Sequence, residues 1–333
     1  MKCKPMSCVW DITNKCNKEF DYTQTNSFSD ELTTVQALNF IDMCANIGVL
    51  LINFFCIEAS LRKDLYVLIS HCRDKNILPN LIVGDVDITE DIAKKLKIAG
   101  ICEIVVDINE FKLESAKENL KNLKDQEIYV SAITTVTKRN INILEKMKKI
   151  LVSLGINFWQ LRLNKIFLED FEFYNSLVLE PENINDIMNF CYESAKEKKI
   201  KILPVGCTDR YVNREAEIKK QTSEKENFEL DSCSAGIESF GILSNGDIVR
   251  CIFTKDKELV KGNIKEKSLE EVWNLLNTFC FEEDLLRKNI QKKYEACERC
   301  IKNCDSANVN AEETIYLPNM CCSYCLKPKN NLS

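Results

Sequence analysis

The sequence predicts an α/β fold, with a partial (β/α)6 TIM-like barrel over residues 1–205 and a small cysteine-rich domain over residues 206–333. Three observations support this prediction. Short β-rich apolar runs alternate with longer amphipathic runs through the first half of the chain. Nine of the 18 cysteines lie between Cys233 and Cys325. The stretch 213–231 is polar with few apolar anchors, which indicates a boundary between the two parts.

The elements of the predicted barrel follow one another in a regular order. Apolar, β-rich runs predict six strands, at residues 9–13, 49–55, 79–83, 102–107, 127–133 and 157–163. Helical spacing of apolar residues predicts the intervening helices, at residues 30–46, 62–75, 89–98, 111–123 and 139–153. Thr89 and Gly100 supply the usual caps of the third helix. A further helix at 182–198 and the strand-like Lys199–Val205 are expected to lead out of the barrel. Parallel strands place the chemistry at their carboxyl ends.

Composition narrows the class of protein. The net charge is −6 with both signs mixed along the chain, which argues against a nucleic-acid surface. The longest apolar run, Ile47–Ile57, is shorter than the roughly 20 residues that a bilayer requires, so we expect a buried strand there and no membrane partner. No secretory signal is visible, and we expect the protein in the cytoplasm. With 18 cysteines and one histidine, thiolate-bound metal is expected, either iron–sulfur clusters or all-cysteine zinc sites.

A single cysteine follows the first predicted strand. The stretch "VWDITNKCNKEFDYT", Val9–Thr23, resembles the first strand and cluster loop of radical SAM enzymes. In that family the loop has three cysteines, separated by three and by two residues. Cys16 matches the first of them, whereas Phe20 and Thr23 occupy the other two positions. Neither side chain replaces a thiolate, so the resemblance implies an iron–sulfur site that has lost two of its three ligands.

The second strand ends in another altered motif. Family members have Gly-Gly-Glu-Pro where this chain has Cys56-Ile57-Glu58-Ala59, and the paired glycines let the backbone approach SAM closely. The resemblance therefore implies a vestigial SAM or cluster site at Cys16, Cys56 and Glu58, with SAM binding doubtful. Cys56 could face Cys16, and the two thiols either bind a metal or are small buried side chains. Cys8, predicted to precede the first strand, lies too far from Cys16 to share a cluster.

Two charged residues mark the ends of later strands. The segment Tyr129–Arg162 resembles the fifth strand, helix and sixth strand of the family, over a long match without gaps. Asp107 ends the fourth strand, and Arg162 lies on the sixth. Both are candidates to line the barrel mouth. The alternatives are an ordinary loop-facing carboxylate for Asp107 and a surface salt bridge for Arg162, which could otherwise clamp a carboxylate.

The C-terminal cysteines follow a hairpin signal. Asn245-Gly246 between β-rich flanks predicts a turn that brings Cys251 close to the segment of Cys233. This pattern and the helix-like Gly262–Asn274 resemble the SPASM domain, an iron–sulfur extension of peptide maturases. The candidate ligands are Cys233, Cys251, Cys297, Cys300, Cys304, Cys321, Cys322 and Cys325. They suffice for one or two [4Fe-4S] clusters, and a pair of zinc staples is the alternative. Core positions are predicted for Cys44, Cys72, Cys102, Cys191 and Cys280, and Cys207 has no assignment.

The resemblance implies a function in peptide maturation. We expect a degenerate homologue that does not cleave SAM, and that binds a substrate peptide or an intact radical SAM maturase, or passes electrons through its clusters. One alternative is an active maturase of ribosomally made peptides with unusual cluster ligation. Another is an interaction protein whose metals serve only as structural staples.

Overall fold

A computed structural model describes most of the barrel and part of the C-terminal region. The described residues are 4–13, 30–56, 62–84, 87–109, 113–163, 177, 179, 181–205, 235–252 and 260–276. The strands are β1 Ser7–Asp11, β2 Leu51–Cys56, β3 Leu78–Val83, β4 Glu103–Asp107, β5 Tyr129–Thr135, β6 Phe158–Arg162, β7 Lys201–Val205, β8 Ser239–Ile242, β9 Asp247–Val249 and β10 Gly262–Asn263. The helices are α1 Thr34–Ile47, α2 Leu65–Asp74, α3 Glu90–Ala99, α4 Leu113–Asp125, α5 Leu144–Ser153 and α6 Pro181–Glu197, and residues 269–276 are also helical.

The strands form one sheet in the order β10-β9-β8-β1-β2-β3-β4-β5-β6-β7. Neighbours from β8 through β1 to β7 are parallel, and a helix follows each of β1 to β6. This arrangement confirms the predicted partial barrel. The strand near Lys199–Val205 does not lead out of it, since Phe158 of β6 pairs with Lys201 of β7. Pairing as a seventh parallel strand buries Ile202, which a departing strand would leave in water.

Strand β8 belongs to the same sheet although it comes from the predicted C-terminal domain. Ser7 pairs with Ser239 and Trp10 with Ile242 in a parallel register. Strands β9 and β10 then add antiparallel edges. The sheet therefore continues across the predicted boundary at residue 206, and the division into two domains stays a prediction.

The hydrophobic core lies between the sheet and its helices. Alternate strand residues point toward the helices and are buried, among them Trp10, Phe54 and Trp159. The ring of Trp10 packs edge-on against Phe40 of α1 with 5.0 Å between centroids. Because successive strand residues face opposite sides, Asp11, Asn53, Glu103, Asp107 and Arg162 lie on the other face. That face is the inside of the partial barrel, and it also carries Val9 and Phe55, which pack against Leu243, Val249 and Ile252.

Local capping sets where the helices begin. The first helix starts at Thr34, four residues later than predicted, because Thr33 forms a capping box with Gln36. The predicted caps of the third helix are confirmed. The hydroxyl of Thr89 accepts a hydrogen bond from the amide of Ile92, and Gly100 has a φ of 91°, in the left-handed region that glycine tolerates.

Most of the predicted core cysteines within the described residues are buried. Cys44, Cys72 and Cys191 are fully buried free thiols, and burial raises the pKa of each. Cys102 was predicted in the core but is partly exposed, since it precedes β4 at the amino-terminal end of the strands. Cys8 lies within β1, not before it, and is also fully buried. The structure does not describe Cys207 or Cys280.

Among the described residues, no helix has both the length and the apolar character needed to cross a bilayer. The apolar run Ile47–Ile57 instead supplies β2, as predicted.

Candidate functional site

Two segments that carry predicted site residues follow the carboxyl ends of β1 and β2. Asp11 at the end of β1 pairs with Phe55, one residue before the end of β2 at Cys56. The segments 14–29 and 57–61 therefore start from neighbouring points of one edge, which is the barrel mouth. Cys16 and Glu58 fall outside the described residues, and so do Phe20 and Thr23. For Cys56 only the backbone is described, so whether it faces Cys16 stays a prediction.

Arg62 holds together the chain around these segments. Its Nη1 donates to the carbonyl of Ile12 at 2.6 Å, and its Nη2 donates to the carbonyl of Leu32 at 3.2 Å. Its Nε also donates to Oδ1 of Asp64 at 2.8 Å. The guanidinium carbon lies 5.5 Å from the ring centroid of Trp10, and only 5% of the side chain is exposed. A buried cation with this many partners fixes the geometry around it.

The carboxyl group of Asp64 responds to this environment. Burial alone would raise its pKa, but hydrogen bonds from Arg62 and Thr34 outweigh burial and lower the pKa below its usual value. Asp64 is therefore ionised at neutral pH and neutralises the buried guanidinium.

The two ends of the segment 14–29 also contact each other directly. The hydroxyl of Thr13 donates to Oε1 of Glu31 at 2.6 Å. Together with the bonds of Arg62 to Ile12 and Leu32, this contact brings the exit and the return of the segment side by side.

Asp107 and Arg162 meet at the mouth, as predicted for residues lining it. Nη1 of Arg162 lies 3.7 Å from Oδ2 of Asp107 and 3.4 Å from the hydroxyl of Thr135. The salt bridge that was the alternative for Arg162 is therefore present, but it is only partly exposed, with 12% of the Arg162 side chain and 30% of the Asp107 side chain accessible. Burial raises the pKa of Asp107, and the charge of Arg162 opposes that rise. The pair therefore places a cation and a carboxyl group across the ends of β4, β5 and β6, where each can bind a polar ligand.

A buried amide supports the neighbouring loop. The side chain of Asn140 accepts a hydrogen bond from the amide of Thr137 and donates to the carbonyl of Thr135, both at 2.9 Å. Neither Asn140 nor Arg62 was predicted from the sequence to be a site residue. The available signals were local: an asparagine in the loop after a strand, and the Arg62-Lys63-Asp64 sequence just before a helix.

The C-terminal hairpin forms where it was predicted. Strands β8 and β9 are antiparallel, and Gly246 in the connecting turn has a φ of 93°. The amide of Asp247 donates to the side chain of Asn245 at 3.1 Å, which shapes the turn. Cys251 follows β9 and is partly exposed, in contrast to the fully buried core thiols. Exposure and a thiol donor fit a ligand of an iron–sulfur cluster or zinc.

The other seven candidate ligands lie outside the described residues, so their assignment stays a prediction. Within the described ranges, no group of three or more cysteine, histidine or acidic side chains is arranged to hold a metal ion.

The hairpin contacts the barrel mouth. The amide of Leu32 donates to the carbonyl of Ser244 at 2.8 Å. The ammonium of Lys265 lies 3.6 Å from the carboxylate of Asp30. Ser244 and Lys265 of the C-terminal segment therefore contact residues 30–32, the stretch whose Leu32 carbonyl also accepts a hydrogen bond from Arg62.

Sequence comparison identifies the C-terminal module and long relatives. Residues 233–301 match SPASM, an iron–sulfur cluster-binding domain. An AdoMet-dependent heme synthase of Methanosarcina barkeri is 23% identical over 303 residues, covering 83% of this chain and 84% of the relative. A PqqA peptide cyclase of Bradyrhizobium diazoefficiens is 30% identical over 106 residues, which cover 31% of this chain and 28% of the cyclase.

Solved structures share the fold. Crystal structures of Streptococcus suis SuiB bound to S-adenosylmethionine and to the precursor peptide SuiA align with TM-scores of 0.64 and 0.63. Their sequence identities are 16% and 15%. The alignments cover 81% of this chain but only 65% and 64% of SuiB, less than two thirds of its length. The chain therefore shares its fold with SuiB and carries a segment that matches SPASM, and it is similar to a heme synthase over most of its length and to a peptide cyclase over about a third of it.

Proposed function

We propose that this protein is a radical SAM/SPASM homologue that does not cleave SAM and that binds a peptide or an active maturase in a peptide-maturation system. One observation carries the proposal. The cluster loop keeps Cys16 but has Phe20 and Thr23 where the family has iron ligands. A single thiolate does not retain a four-iron cluster, because proteins hold such clusters with several cysteine thiolates.

The described part of the mouth supports a binding role. Arg62 keeps the ends of the altered loop together, so the mouth has an ordered frame without a complete set of iron ligands. Asp107 and Arg162 present a carboxyl group and a guanidinium on its inner face. A peptide offers both of their natural partners, its amides and its carboxylates. SuiB, which shares the fold, has been solved with a precursor peptide.

We assign the C-terminal cysteines to iron–sulfur clusters. Cys233 and Cys251, with one or two of Cys321, Cys322 and Cys325, are the proposed ligands of the cluster nearer the barrel. The outer cluster takes Cys297, Cys300, Cys304 and Cys325. The match to an iron–sulfur domain favours iron over zinc staples. When bound, such clusters carry single electrons, which is the chemistry that an electron-transfer partner needs. We place this activity in the cytoplasm, where thiols stay reduced.

A second candidate is a SAM-dependent enzyme with unusual cluster ligation. The observation in its favour is the alignment with an AdoMet-dependent heme synthase over 83% of this chain. In this case Cys16 would hold a cluster together with Cys56 or with ligands from a partner chain.

Iron analysis and SAM cleavage distinguish the two candidates. The whole chain and its Cys16→Ser and Cys251→Ser variants are reconstituted anaerobically with iron and sulfide, reduced, and incubated with SAM. We expect no multiple-turnover production of 5′-deoxyadenosine by the unmodified chain. We expect Cys251→Ser to lose about four irons per chain, one cluster's content, and Cys16→Ser to lose none.

Each other outcome contradicts the proposal. Multiple-turnover cleavage, with equal iron loss in the two variants, would make the second candidate the better one. A colourless protein with stoichiometric zinc would leave the metals as structural staples.

A further inference from the structure

One buried side chain touches three separate segments at the barrel mouth. Arg62 bonds to Ile12 before the segment 14–29, to Leu32 after it, and to Asp64 at the start of α2. We propose that Arg62 is a positioning residue, which sets the distance between the two ends of the segment that carries Cys16. The inference goes beyond the proposed function, since it holds whether or not the mouth binds SAM.

Only arginine has the donors for this arrangement. The guanidinium is planar and offers five N–H groups in a fixed fork. Nε and Nη2 contact the two oxygens of Asp64, while Nη1 and Nη2 contact the carbonyls of Ile12 and Leu32. The compact ammonium of lysine cannot keep donors at all these positions, because its three N–H groups share one nitrogen. Arginine identity, and not merely positive charge, is therefore required.

Burial raises the free-energy cost of breaking the hydrogen bonds of Arg62 to the backbone. Both backbone bonds of Arg62 are buried. A carbonyl that loses its donor inside the protein has no water to replace it. The indole of Trp10 and the carboxylate of Asp64 compensate the buried charge. Losing the guanidinium would therefore leave two carbonyls and one carboxylate to find new partners, and the chain ends can do so only by moving.

Leu32 extends the arrangement to the C-terminal hairpin. Its carbonyl accepts from Arg62, and its amide donates to Ser244 of the hairpin. One residue therefore links Arg62 to the metal-binding module. A shift of Leu32 changes both bonds, so the effect of Arg62 must reach the residues near Ser244.

Hydrogen exchange measured by mass spectrometry on the whole chain tests this role. The variants are Arg62→Gln and Arg62→Lys, with Arg73→Gln as a matched control, since Arg73 is a surface arginine whose Nη1 reaches Cys102. We expect both Arg62 variants to accelerate exchange about tenfold in the amides of residues 12–13 and 30–33. Exchange near Ser244 should rise as well, whereas exchange in 144–162 should stay at its original rate. The control should change neither region.

Three results would overturn the proposal. The first is unchanged exchange at 12–13 and 30–33 in both Arg62 variants. The second is a uniform rise over the whole chain that follows the loss of global stability, since this is what a merely structural residue produces. The third is full protection in Arg62→Lys, which would show that charge alone suffices. If Arg62→Gln does not fold, the lysine variant still decides between these results.

Discussion

The two ends of the sheet are stabilised in different ways. At the amino-terminal end of the strands the same contact occurs three times, from a basic side chain near the end of one helix to the loop that enters the strand after next. These contacts are Arg73 Nη1 to Cys102 Sγ at 3.4 Å, Lys97 Nζ to the Glu127 carbonyl at 2.7 Å and Lys124 Nζ to the Gly155 carbonyl at 2.6 Å. All three are exposed. This end is built by repetition.

At the carboxyl-terminal end each contact is individual and is buried or partly buried. Arg62 joins three segments, Asn140 fixes a loop, and Arg162 approaches Asp107. Among the described residues, asparagine side chains fix one further loop, since Asn119 and Asn122 bond to the backbone of Ile88, but with a different geometry. Barrel enzymes commonly place chemistry at this end and stability at the other. We therefore expect the loss of one contact at the amino-terminal end of the strands to cost little stability, and the loss of one contact at the carboxyl-terminal end to cost more.

The largest expected effect tests this difference directly. Asn140→Ala removes the partner of the Thr137 amide and of the Thr135 carbonyl, so we expect a loss of about 2–4 kcal/mol in the free energy of unfolding. Lys124→Ala at the opposite end is the control, with an expected loss of about 0.5 kcal/mol or less. Urea denaturation measures both. Equal losses in the two variants would remove the distinction between the ends.

An intermediate effect depends on pH. The pKa of Asp64 is lowered by its hydrogen bond to Arg62 despite burial, so its ionised form stabilises the fold above its ordinary pKa of 3.8. This contribution is lost as the pH falls below 3.8 and through the folded-state pKa. We expect Asp64→Asn to cost about 1–2 kcal/mol at pH 5 and pH 7, and the difference from the unmodified chain to shrink toward zero near pH 2.

Asp42→Asn is the matched control for this pH series. A hydrogen bond from Lys75 lowers the pKa of Asp42, but its side chain is 40% exposed and water screens the pair. We expect the same pH dependence with an amplitude of about 0.5 kcal/mol. Denaturation at each pH measures both variants. A cost of Asp64→Asn that persists unchanged at pH 2 would mean that packing, and not ionisation, explains it.

The smallest expected effect tests independence at the repeated end. Lys97→Ala and Lys124→Ala each remove one exposed contact to a carbonyl. We expect each variant to lose about 0.5 kcal/mol or less in the free energy of unfolding. We expect the two losses to add in the double variant, because the two contacts have separate partners. A coupling energy above about 0.5 kcal/mol in the double-mutant cycle would show that these two contacts act as a unit.

Local signals made much of the fold predictable from the sequence. Hydrophobic periodicity located each of the first six strands within about two residues of its observed bounds. The caps at Thr89 and Gly100 and the turn at Asn245-Gly246 were also correct, because each depends only on a few adjacent residues.

Contacts between distant segments were not predictable in the same way. The pairing of β8 with β1 cannot be read from either segment, because the apolar residues of a strand do not specify which other strand it pairs with. The role of Arg62 was hidden for a related reason. Two of its partners are the backbone carbonyls of Ile12 and Leu32, and every residue type supplies a carbonyl. At the mouth, only the positions of Asp107 and Arg162 along its lining were predicted, from their places on the fourth and sixth strands, and their pairing was not.

The pairing of β1 with β8 has a consequence for how the chain folds as it is made. These neighbours lie about 230 residues apart in the sequence, which gives the first strand a high contact order. At about 5–20 residues per second, synthesis reaches β8 roughly 10–50 s after β1. During that interval β2 can occupy only one side of β1. The other edge of β1 then offers unsatisfied N–H and C=O groups to neighbouring chains. The position of β8 in the sequence therefore sets the length of this aggregation-prone interval.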